Sequence, residues 1–145
     1  MGWGRLYSVH ESAGRLLSTC RTKSDWYAAL NTLGIEHAPQ LDAEDSIRFW
    51  ASTLDALAHP AARFFAGDLH ADDNGTGDPD VCLVSRESAS AFLSQFEQLG
   101  EPFFANLFRH DGPYGVGHAW LYGPLCAFLR ETCRRGDAIV MLWEN

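Results

Sequence analysis

Both ends of this chain read as β-strand, while most of what lies between them reads as helix. At the start, Trp3, Arg5, Tyr7 and Val9 alternate with Gly4, Leu6 and Ser8, the two-residue period of an extended segment. At the end, Asp137 turns the chain into a hydrophobic closing strand over 138–143. Between them the apolar period lengthens. Ile47, Trp50, Ala51, Leu54 and Leu57 form one helical stripe, and Ala89, Phe92, Leu93, Phe96 and Leu99 form another. A third carries Leu121, Leu125, Phe128 and Leu129, with Arg130, Arg134 and Arg135 near its end, where cations suit the helix dipole. Shorter helices are predicted over 12–20 and over 25–33, the second capped by Ser24 and stopped by Gly34. Few strands, one of them terminal, predict an α+β fold: a small mixed or antiparallel sheet with helices packed mainly on one face.

Local punctuation refines this outline. Asp42 reads as the N-cap of the Trp50 helix, which His59-Pro60 breaks. Residues 67–79 read as a loop, 81–84 as a short buried strand, and Ser85 as the cap of the next helix, with Gly100 as its stop. Residues 102–108 carry four apolar side chains (Phe103, Phe104, Leu107 and Phe108) suited to one or two further helical turns, and 111–117 read as a Gly/Pro loop. Pro124 is tolerated only in a first turn, so the last helix starts close to Gly123 and ends before Gly136. A chain of 145 residues with no internal repeat or composition break reads as a single domain over 1–145.

Charge is distributed unevenly. The net charge is −8, and residues 36–80 alone account for it. The basic residues, nearly all Arg, are scattered without a stripe, which argues against a nucleic-acid partner. No apolar run reaches the roughly 18 residues needed to span a bilayer, and no signal-peptide pattern opens the chain, so the expected location is cytoplasmic. Cys20, Cys82, Cys126 and Cys133 form no CxxC pair and read as reduced, buried thiols.

No complete catalytic or cofactor motif is present. Setting Asp72 at the first position of a calcium loop puts Leu83 where the bidentate Glu belongs, and His70 lacks a second His at ligand spacing. No metal or cofactor is therefore expected. Asp68, Asp72, Asp73, Asp78 and Asp80 make an acidic loop suited to a basic protein partner. Adjacent aromatic pairs such as Phe49-Trp50 and Phe64-Phe65 cannot both face one core from a single helix, so one of each pair is predicted to be exposed or to cover a loop. Exposed aromatics such as Phe65 would accompany the acids at a partner surface. A second candidate is the Gly-rich segment 109–118, where His110, Tyr114 and His118 would shape a pocket, with a histidine beside a carboxylate. It lacks the third glycine of a dinucleotide fingerprint and the Lys-Ser/Thr of a P-loop.

The order of segments resembles the YfbM-like family, a bacterial family of unknown function. The resemblance rests on the Met1-Gly2 opening into a strand, the Leu41-Asp42 lead into a Trp helix, the Leu83-Val84-Ser85 step and the Phe-rich 102–108. It is strongest at the end, in Leu125-Cys126-Ala127-Phe128-Leu129, the Arg134-Arg135-Gly136 stop and the strand after it. The chain departs from the family pattern at His59-Pro60 and at Pro124. The resemblance implies an α+β fold and supplies no reaction and no site residues. The function expected from the residues is that of an acidic immunity or antitoxin-type inhibitor acting by protein–protein binding. The alternatives are a small enzyme or ligand-binding domain using 109–118, and a structural protein that forms a homodimer.

Overall fold

The two terminal strands meet in the middle of the molecule. In the computed structural model, which describes residues 3–71, 81–109 and 112–144, β1 (Trp3–Val9) pairs antiparallel with β5 (Ala138–Glu144). The register runs from Trp3 opposite Glu144 to Val9 opposite Ala138. On the far side of β1 lies β2 (Gln40–Glu44); on the far side of β5 lie β4 (Val81–Val84) and then the two-residue edge β3 (Leu69–His70). The order is β2-β1-β5-β4-β3, and every neighbouring pair is antiparallel.

Helices cover both faces of this sheet unequally. Leu6, Cys82, Val84, Ile139, Met141 and Trp143 face the larger layer. It is built from α3 (Ser46–Ala56), α4 (Arg63–Ala66), α5 (Arg86–Leu99), α6 (Glu101–Arg109) and α8 (Tyr122–Arg135). Tyr7, Val9, Val81, Leu83 and Val140 face a thinner cover. There, α1 (Ala13–Leu17) and α2 (Lys23–Thr32) contribute Leu17, Trp26 and Leu30. The fold is α+β with its helices mainly on one face, and the second cover explains why β4 is buried at every position and reads as a continuous apolar run. In the larger layer Trp50 stacks on Phe104 at 4.7 Å, and Phe96 and Phe108 close around the pair. Truncating one such ring to Ala typically costs about 3–5 kcal/mol. Gly4 lets α3 come this close to β1, because a Cβ there would sit 2.6 Å from Ile47 Cγ2.

The structure corrects several local readings. Asp42 does not cap α3: it lies in β2, where its carboxylate accepts the Glu44 N–H at 3.0 Å and sits 3.7 Å from Arg5. The helix begins four residues later, after Asp45, which makes no side-chain cap bond. A preference for Asp at N-caps obscured a short edge strand in which only Ala43 is fully buried. Helix α2 is capped by Thr22 rather than Ser24, through a capping box with Asp25. The segment read as a loop at 111–117 contains α7 (Gly112–Gly117), followed by a 3-10 turn (His118–Leu121). Ser85 does cap α5, accepting the Ser88 N–H, and the left-handed Gly136 does end α8.

Candidate functional site

The two sequence-derived candidates fare differently in three dimensions. Of the acidic loop, Asp72, Asp73, Asp78 and Asp80 lie outside the described residues. Asp68 is described and is engaged within the fold. Its carboxylate accepts the Ser85 N–H at 2.7 Å and the Ser88 hydroxyl at 3.0 Å, bracing the N-terminus of α5. Phe65 is not exposed as expected but 2% accessible, packed edge-on to Phe64 at 5.1 Å. The reasoning that one ring of each adjacent pair must face out fails here because α4 is a four-residue helix enclosed on more than one side. For Phe49-Trp50 the two rings divide, Trp50 in the core and Phe49 partly buried against it. Among the described residues no cluster of three metal-ligating side chains occurs.

In the second candidate, His110 lies outside the described residues, whereas Tyr114 and His118 come together. His118 is 5% exposed and its ring is stacked on Phe49 at 4.3 Å and 15°, with the Tyr114 ring edge-on at 4.7 Å. Its Nδ1 lies 2.8 Å from Ser46 Oγ, and its backbone carbonyl accepts the Trp50 indole N–H at 2.8 Å. The Trp120 indole N–H donates to the same Ser46 oxygen at 2.8 Å. An indole nitrogen only donates, so Ser46 accepts from Trp120; toward His118 Nδ1 its hydroxyl donates or accepts according to the imidazole tautomer. The Ser46–His118 distance matches that of a nucleophile and its base. Ser46, however, is fully buried and already bonded to both partners, so the pair acts as a brace between α3 and the turn after α7. A carboxylate was expected beside His110 or His118; His110 lies outside the described residues, and among the described residues the His118 ring meets Ser46, Phe49 and Tyr114.

The thiols offer no better nucleophile. Burial pushes Cys82 up to about 12 and raises Cys126 and Cys133 as well, the opposite of an activated cysteine.

Beside the brace lies a groove, which shares Phe49 and Tyr114 with the ring contacts of His118. Phe49, Ser52, Thr53, Ala56 and Leu57 of α3 and its C-terminal end form one side; Leu107 of α6 and Tyr114 of α7 form the other. The space is open, mostly apolar and about 690 Å³ in volume. Tyr114 is 64% exposed, and Leu57, Val116 and Trp120 also present large apolar surface to solvent. Phe49 and Leu57 were legible as members of an adjacent aromatic pair and an apolar stripe. Leu107 carried no signal that set it apart from its Phe-rich neighbours, because facing a groove rather than the core is decided by tertiary packing.

The larger wall, α3, is a regular helix on the core. The smaller wall is weak. Three of the six residues of α7 are glycine, and glycine costs about 1 kcal/mol relative to alanine within a helix.

An antiparallel sheet with a thick helical layer on one face, a thin one on the other and a groove on the thick side defines a YfbM-like α+β fold. The crystal structure of YfbM from Escherichia coli, described as a protein of unknown function, superimposes with a TM-score of 0.69. The match covers 96% of this chain and 98% of that one at 13% sequence identity, and so establishes the fold alone. No protein-family model and no curated protein sequence matches the chain. Among the described residues no helix is long and apolar enough to cross a membrane.

Proposed function

We propose that the protein is a non-catalytic binding protein of the immunity or antitoxin type, inhibiting a basic protein partner in the bacterial cytoplasm. The observation that carries this reading is the open apolar groove lined in part by exposed Leu57 and Tyr114. Aromatic anchors in a desolvated trough are the usual centre of a protein–protein contact. The net charge of −8 supplies the second element, steering a basic partner and raising its association rate. The buried, doubly bonded Ser46 supports binding rather than turnover, since its hydroxyl is engaged by both His118 and Trp120 and is no free nucleophile.

A second reading, a small-ligand domain, is favoured by the volume of the groove, which falls within the range of about 300–1,000 Å³ common to small-molecule sites.

The test is recovery of the tagged chain from its native host at low and high salt, in wild-type and Tyr114→Ala forms. The inhibitor reading predicts one stoichiometric basic protein, lost at high salt and reduced at least tenfold by Tyr114→Ala, whose toxicity the wild-type chain suppresses on co-expression. A partner retained equally by Tyr114→Ala would remove the groove from the account. Recovery of a small molecule and no protein would establish the second reading instead.

A further inference from the structure

We propose that the free edge of β2 takes up a basic, extended segment of a partner protein as an added antiparallel strand, through Gln40, Leu41 and Asp42. The partner is the basic protein of the proposed function, met here at residues that the groove does not share. Strand β2 ends the sheet and pairs with β1 alone. The Ser8 N–H donates to the Pro39 carbonyl at 2.8 Å. Bonded pairs recur at every second residue of an antiparallel ladder, so Leu41, opposite Leu6, is the next to bond β1. The same alternation turns the N–H and C=O of Gln40 and Asp42 outward. Among the described residues no other bond takes up these backbone groups, and both residues are exposed. The opposite edge, β3, is only two residues long.

Charge and alternation name the occupant. Residues 36–45 hold four acids (Glu36, Asp42, Glu44 and Asp45) and neither Lys nor Arg. Asp42 and Glu44 are exposed on the strand itself, and Arg5 stands 3.7 Å from Asp42. A second copy would bring the same acids and a net charge of −8 against this edge, so charge opposes self-pairing. A basic strand meets opposite charges across the new pair, where they are favourable. The side chains opposite Gln40 and Asp42 share the face of Asp42 and are the basic ones. The residue between them lies beside Leu41, which packs on the larger layer, and is apolar. The register shifts after Asp42, and Glu44 is left-handed (φ 52), so the regular edge stops there and fits a short segment.

Titration of the isotope-labelled full chain with an end-blocked Lys-Val-Lys-Val-Lys peptide tests this, with Glu-Val-Glu-Val-Glu as control. At about 5 mM the basic peptide should slow hydrogen exchange of the Gln40 and Asp42 amides at least about tenfold. The Leu41 amide, already bonded to β1, should change less than about twofold. The acidic peptide should protect neither. Asp42→Asn, which keeps an acceptor for the Glu44 N–H, combined with Glu44→Gln should weaken binding at least about fivefold. Gln40 and Asp42 amides that exchange no more slowly with the basic peptide than without it would overturn the proposal, whatever the groove binds. Equal protection by the two peptides, or equal affinity of the wild-type and doubly substituted chains, would overturn it as well, since charge would then not select the strand.

Discussion

Ser46 shows how one small polar side chain organises a surface. It is fully buried at the start of α3, and its hydroxyl satisfies two aromatic nitrogens, Nδ1 of His118 and Nε1 of Trp120. A buried donor or acceptor left without a partner costs about 1–3 kcal/mol. Ser46→Ala should accordingly lower the unfolding free energy by about 2–3 kcal/mol in urea denaturation, against less than about 0.5 kcal/mol for the exposed Ser52→Ala. Equal losses at the two positions would mean that the brace is not a stabilising contact. Sequence reading passed over Ser46 because a serine beside a helix start is ordinarily a cap, and its partners lie 72 and 74 residues away. His118, expected with His110 and Tyr114 to shape a pocket, has aromatic and hydroxyl neighbours among the described residues.

Among the elements, those with complete local signals were legible. Helix α5 has Ser85 at its cap, a clean apolar stripe and Gly100 at its stop, and each does what its chemistry dictates. What the sequence did not disclose is the tertiary support: the carboxylate of Asp68, read as a partner-binding surface charge, accepts hydrogen bonds from Ser85 and Ser88 at the N-terminus of this helix, 17 and 20 residues downstream. Asp68→Ala should destabilise the protein by about 1–2 kcal/mol, and Asp68→Asn, which keeps an acceptor and loses the charge, by about half of that. Thermal melts of the two variants would check the order; a neutral Asp68→Ala would return this residue to the pool of partner-binding candidates. Elements with conflicting signals were misread. In β2, alternation over five residues competed with the strong capping preference of Asp42, and in α7 three glycines argued for a loop. The sheet on one side and the braced turn on the other decide both cases, and neither is local.

For the whole molecule, the ends of the chain meet at the centre of the sheet, so β1 acquires its main partner only when the last strand is in place. The strands at either end were readable from their period, whereas their pairing joins residues more than 120 positions apart and leaves no trace in a local pattern. On this frame α3 is fixed by the core, and the groove lies between it and the side formed by Leu107 of α6 and Tyr114 of the glycine-rich α7. On the proposed reading, the groove is where this protein meets its partner. Backbone amide shifts of the isotope-labelled chain, recorded while the partner recovered from the native host is titrated in, test it most directly. The account predicts the largest changes at Ser52, Thr53, Leu57, Leu107 and Tyr114, with α1 and α2 on the opposite face unmoved. Changes centred on α1 and α2, with the groove residues silent, would contradict it.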